Sequence, residues 1–512
     1  MPCSRRLAGL VVLLAACQRA AEAPPAANGT AHGSASRYVG AQPVGTYPAT
    51  PATIRGWIES GDTRAIRAHG WDIWAAITAT AHDSTPVWQT WYSGHELFED
   101  TMGVGGATRA HAHLLPIEHP RQFAHATLLG TGHGRGGIPR DLAERVFAFN
   151  RFTEGTARYI AANGLNLRAR LADTLVKMEL AGRPLAQREV LVSQDSVDAA
   201  SFVIKPVFLF IAKDSVSAIP YWDGYDRQHT SGDTLHPPPR FWRQAVAVDP
   251  TGRLRAGDSV FMAFNQEPKR WLRVVPLGAF YHRVVSQAEA DSLTTFGSEN
   301  GDDLGFASDT SDAAVRAAAQ PGNVALLMAM HVTGKEIVNW TWQSFWWSPL
   351  TNDPRYGADR PASIPAPWNN YLMTVAYAMQ QPDGSPLVAF NPYLETSLFG
   401  PGPGANEPNM APWTGVGTNC MSCHRRAAVA YRTLPPHNGL QPGFTDYGPA
   451  GMVDAGDTTV FMLRAPGWLG ATLKTDFLWS VAIRARDQGA APPPAAAPAS
   501  APASAKHRGS TP

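Results

Sequence analysis

Cys420, Met421, Ser422, Cys423 and His424 follow one another near the C-terminal end of this 512-residue chain. No other stretch narrows the possible folds as much. Two thiols three positions apart fall on one turn of a helix, and a histidine follows directly. The C-x-x-C-H spacing is the attachment signature of c-type haem. The thiols add to the two vinyl groups of one haem and hold it by thioethers, and the histidine beneath can ligate the iron. A zinc site would need two further ligands nearby, and the chain holds no second C-x-x-C. A redox-active dithiol is the other reading of the pair.

Haem c is attached outside the cytoplasmic membrane, so an export signal should be present. Arg5 and Arg6 precede a short apolar run over residues 7–16, too short to span a bilayer. The run ends Leu14-Ala15-Ala16-Cys17, which resembles a bacterial lipobox. Residues 1–17 therefore read as a lipoprotein signal peptide, with cleavage before Cys17 and diacylglycerol on its sulfur. An ordinary signal peptide with a stray cysteine is the alternative. Ser4-Arg5-Arg6 lacks the rest of a twin-arginine motif, so export of the unfolded chain is expected. Gln18 does not match the Asp that retains lipoproteins at the inner membrane, which points to the outer membrane, facing the periplasm. Of four cysteines, Cys3 leaves with the signal, Cys17 takes lipid, and Cys420 and Cys423 take haem.

Residues 18–50 are rich in Ala, Pro, Gly and Ser and read as a flexible tether. About thirty coil residues reach roughly 30 Å end to end. The 43 basic and 42 acidic residues form no basic run, which makes nucleic acid and anionic lipid poor partners. Residues 51–190 read as a helical region, with the strongest helical spacing over 142–160 and 165–180. From about residue 191 to 398 the period changes to that of strands. Segments 202–211, 241–248, 271–275, 280–285, 324–332 and 339–347 are expected as strands, with more at 368–379 and 386–391. Residues 399–486 read as a small, mostly helical haem module, in which Thr418 or Asn419 caps the Cys420 helix and 473–481 forms a closing helix. Residues 487–512 are a disordered Ala/Pro tail. The expected fold class is α+β, an antiparallel β-rich body between a helical region and the haem module. Five histidines over 111–133 (His111, His113, His119, His125, His133) read as an irregular surface loop, with a metal site as the sharper alternative.

Two stretches carry a family resemblance. Asn419-Cys420-Met421-Ser422-Cys423-His424, followed by Asp476-Phe477-Leu478-Trp479, is one. The run from Met330 and His331 through Gly334-Lys335-Glu336 and Trp340-Thr341-Trp342 to Trp347 is the other. Together they resemble large bacterial envelope proteins of a monohaem c-type cytochrome family, over roughly residues 200–485. The resemblance implies one covalent haem c, a large non-haem body and a periplasmic setting. It assigns no reaction. The chain departs from small class I cytochromes, whose haem motif lies near the N-terminus.

Three residues compete for the sixth position on the iron. His331 ends an apolar strand, Met452 lies in a Pro-Ala-Gly-Met loop, and Met462 reads as buried strand. Met raises the potential, a second His lowers it, and an open position admits small molecules. Trp340 and Trp342 alternate on the expected strand and are candidate walls of the haem pocket. The leading function is electron transfer with a periplasmic or membrane redox partner protein. The alternative is a haem-dependent oxidoreductase, peroxidase-like or substrate-oxidising, with a substrate pocket in the β-rich body. A haem-based sensing lipoprotein is a third class.

Overall fold

Apolar residues at helical spacing place two helices first, α1 (Pro51–Ser60) and α2 (Thr63–Thr78). Thr50 accepts from the Thr53 amide at the head of α1, and Asp62 from the Ala65 amide at the head of α2. Each supplies a partner that the first helical turn lacks. Gly61 joins the two at φ 67°, a left-handed conformation glycine adopts freely. The structure is a computed structural model that describes residues 49–81, 85–98, 146–184, 187–192, 201–224, 242–264, 267–291, 317, 320–383, 387–395, 419–425, 427–432, 439–443 and 468–487. All belong to one compact unit, Tyr38–Pro512. Among them no helix is long and apolar enough to cross a membrane.

In chain order the strands are β1 (Tyr92–Ser93), β2 (Val146–Ala148), β3 (Arg151–Phe152), β4 (Phe202–Ile211), β5 (Ser217–Pro220) and β6 (Ala245–Val248). Then come β7 (Ser259–Phe264), β8 (Glu267–Arg273), β9 (His282–Val284), β10 (Val324–Gly334), β11 (Thr341–Trp347) and β12 (Tyr371–Ala376). One antiparallel sheet runs β1-β3-β4-β10-β11-β12, with β2 also on β4 and β9 also on β10. β5–β6 and β7–β8 are separate antiparallel pairs. The fold is α+β. Pro206 lacks an amide hydrogen, and it falls in the gap where β4 passes from β3 (pairing at Val203 and Ile204) to β2 (pairing from Val207).

Antiparallel strands with one wet face alternate apolar and polar residues; these strands are almost continuously buried because both faces are covered. On one face α2 delivers Trp71 and Trp74 to Phe345, the Trp74 and Phe345 rings stacking at 4.1 Å. On the other face Val203, Trp342 and Ala376 join Cys420, Met421, Phe477 and Leu478 in a second apolar core. The cysteine–histidine segment is thus seated on the back of the central sheet. Gly334 closes β10 with its Cα against the Phe202 ring; a Cβ there would meet Phe202 Cε1 at 2.5 Å. Gly334→Ala is therefore expected to lower stability by about 1–3 kcal/mol, read as a lower urea midpoint with unchanged slope.

Three of the expected segments fold otherwise, and β1, β5 and β7 form where no strand is expected. Residues 146–152 form β2 and β3, and the helix begins only at Glu154 (Glu154–Ala162). Phe147 packs edge-on to Phe210, and Phe149 stacks on Phe208, so pairing with β4 overrides a helical pattern. Residues 387–391 form no strand; Asn391 turns its side chain onto β11 instead. The C-terminal region contains a three-stranded antiparallel sheet, β13 (Ala428–Arg432), β14 (Gly439–Gly443) and β15 (Trp468–Lys474), beside the short helices Cys420–His424 and Trp479–Arg484. A mostly helical module was expected there. The closing helix starts at Trp479 because β13 claims Leu473 and Lys474 for its ladder.

Candidate functional site

The small C-terminal sheet sets the site. β13 and β15 pair Ala428 with Lys474, and the Thr475 amide donates to the Ala427 carbonyl. Continued past the ladder, this register brings His424 to Phe477. The His424 Nδ1 lies 2.8 Å from the Phe477 carbonyl oxygen. A carbonyl only accepts, so Nδ1 carries the proton. Burial drives the His424 pKa down to about 4, against the pull of the Phe477 carbonyl. The ring is therefore neutral at pH 7, and its Nε2 carries a lone pair. Among the described residues Nε2 has no hydrogen-bond partner. A metal-binding histidine is held this way, one ring nitrogen on a backbone carbonyl and the other free for the ion.

The turn that presents this carbonyl is strained. Asp476 and Phe477 lie at φ 48° and 67°, consecutive left-handed positions at non-glycine residues. The Asp476 carboxylate holds them. It accepts from Lys335 Nζ (2.8 Å), Trp340 Nε1 (3.2 Å) and the Val192 amide (3.0 Å). Burial pushes Asp476 up to about 6, and Lys335 opposes that rise. Lys335 also donates to the Val338 carbonyl and lies over the Trp340 ring. The Lys335-to-Trp342 run and the Asp476-to-Trp479 run, some 140 residues apart in sequence, are thus one unit.

Trp342 stands against His424, ring centroids 4.4 Å apart and planes tilted by 46°. Trp340 does not share its strand face. It lies one residue before β11 at φ 62° and gives its indole N–H to Asp476. The helix Cys420–His424 is tied to the body at its head. The buried Asn419 side chain, expected as a cap, donates to the carbonyls of Leu387 (2.9 Å), Met379 (3.2 Å) and Ala378 (3.3 Å). Cys420 is buried in the same apolar core. Cys423 follows three positions on in the same helix.

His331 lies on the same sheet face as Trp342, across from Lys205 on β4 and Ser344 on β11. Lys205 and His331 are the one half-buried position in each of their strands. The two face each other in register, so an otherwise buried face is partly open at this one pair. Asn391 donates to Ser344 Oγ (2.9 Å), and the same hydroxyl shares a hydrogen bond with His331 Nδ1 (2.9 Å). His331 Nε2 lies 3.3 Å from Glu395 Oε1. Burial first, with Lys205 and His424 nearby, takes His331 down to about 3, and burial takes Glu395 up to about 7. Both nitrogens of His331 are thereby engaged.

Lys205, Ser344, Asn391, Glu395 and the Phe477 carbonyl were not foreseen as part of the site. Lys205 alone left a signal, one cation inside a ten-residue apolar strand. Met452, Met462, Cys17 and the histidines of residues 111–133 lie outside the described residues. No protein-family model, curated protein or solved structure matches the chain.

Proposed function

We propose that this chain is a c-type cytochrome of the bacterial envelope, holding one covalent haem and passing single electrons to a periplasmic or membrane redox partner protein. Lipid on Cys17 would anchor it, the periplasm being its compartment. The observation that carries this reading is the His424 imidazole: it follows a C-x-x-C pair and has Nδ1 fixed on the Phe477 carbonyl, which leaves Nε2 free. Cys420 and Cys423 would hold the haem by thioethers, and His424 Nε2 would ligate its iron. When bound, haem supplies a one-electron couple whose potential follows its axial ligands and surroundings. Trp342 covers one side of the imidazole. The Phe477 carbonyl orients the ring and raises the basicity of its free nitrogen. The resemblance of residues 419–424, 476–479 and 330–347 to the monohaem family supports the same reading.

A second reading, a haem-dependent oxidoreductase, draws on the partly open pair Lys205 and His331. Lys205, His331 and Glu395 bring one cation and two titratable groups together on the sheet face that carries Trp342, all three only partly buried. Visible spectra of the oxidised and reduced protein separate the two. A six-coordinate, low-spin haem that ignores carbon monoxide supports the carrier; a high-spin haem that binds it supports the enzyme. His331→Ala is expected to leave the oxidised spectrum unchanged, because the ring is engaged at both nitrogens. A change to high spin in that variant would assign His331 to the iron.

A further inference from the structure

The outer face of the β7–β8 hairpin carries a surface that the haem reading does not use. The register pairs Phe261 with Trp271 across the two strands, rings 5.4 Å apart. They are 53% and 69% exposed, the only aromatic rings among the large hydrophobic side chains so exposed in the described residues. The inner face explains the hairpin's stability without them, since Val260, Met262, Phe264 and Leu272 pack on Ala245, Ala247 and Val274. Strand alternation puts Lys269, Trp271 and Arg273 on one side of β8, and all three are exposed. Arg253 and Arg255 stand exposed in the turn at the foot of the hairpin, where the Gly257 amide donates to the Val274 carbonyl. The nearby Asp258 directs its carboxylate onto the Arg255 amide at 2.7 Å. Among the described residues none of these four cations has a carboxylate partner.

We infer that this face is a membrane contact, in which Trp271 and Phe261 enter the headgroup boundary and Lys269 and Arg273 meet anionic phosphates, although the sequence holds no basic run. Tryptophan suits that boundary because it is apolar in body and polar at one edge. Two half-exposed rings fall well short of the roughly 800 Å² a side that a stable protein interface buries. A membrane contact needs less, because insertion of apolar rings and attraction of cations to anionic lipid act together. The inference rests on the lipid-anchor reading of Cys17, which leaves residues 18–50 as the tether and keeps the hairpin within reach of the bilayer.

The mature chain, exported as a Cys17→Ser variant so that it bears no acyl group, is mixed with vesicles and sedimented. Binding to phosphatidylethanolamine vesicles containing phosphatidylglycerol is expected, with little to phosphatidylcholine vesicles and less as salt rises. F261S/W271S and K269E/R273E are each expected to lower the bound fraction about tenfold or more, with unchanged circular dichroism. Absence of binding to anionic vesicles, or wild-type binding by both variants, overturns the proposal; a protein partner for the face would show itself in that way. Mass spectrometry of the native N-terminus tests the acyl anchor separately.

Discussion

Asp476→Ala is expected to cost about 3–5 kcal/mol, because it breaks a buried ion pair from one side. The Lys335 and Asp476 side chains are 1% and 2% exposed. Removing the carboxylate leaves Lys335 Nζ with the Val338 carbonyl, and takes a partner from Trp340 Nε1 and the Val192 amide. It also releases the two left-handed residues that aim the Phe477 carbonyl at His424. Against a total of about 5–15 kcal/mol for a typical domain, the loss should bring the protein to the edge of unfolding. Urea denaturation measures it. Lys335→Met/Asp476→Leu should recover part of the loss, since paired replacement removes both charges. The Val192 and Trp340 donors keep that recovery incomplete. A single-variant cost below about 1 kcal/mol, the scale of an exposed pair, would contradict the role given to Asp476.

The motif at Cys420 and the apolar strands 202–211, 324–332 and 339–347 were legible because their information is local: a fixed spacing in one case, continuous apolar character in the other. The links between them were not. His424 meets Phe477 through the β13–β15 register, and β15 is not visible as a strand in a segment that also reads as helix. Asp476 meets Lys335 across 141 residues of chain. Trp340 and Trp342 were read as neighbours on one face; the left-handed backbone at Trp340 separates them, and nothing in the local sequence announces it. His331 was placed on the correct strand, but its engagement depends on Glu395 and Ser344, which the fold alone brings to it.

Replacing both Cys420 and Cys423 with Ala should reduce covalent haem from one per chain to none. The effect is all-or-none because a thioether needs a thiol, and the other two cysteines of the chain, Cys3 and Cys17, lie about four hundred residues away. A single Cys420→Ala or Cys423→Ala variant retains one possible attachment, so partial loading is expected of it. Circular dichroism of the double variant should stay near wild type, since Asn419 holds the head of the helix through its own side chain.

The mass of the wild-type chain, isolated from its native source and measured under denaturing conditions, tests the central claim most directly. A mass increased by one haem that survives denaturation, with Cys420 and Cys423 both closed to thiol alkylation, is the predicted result. A chain without that increment, in which both thiols alkylate, would contradict the account.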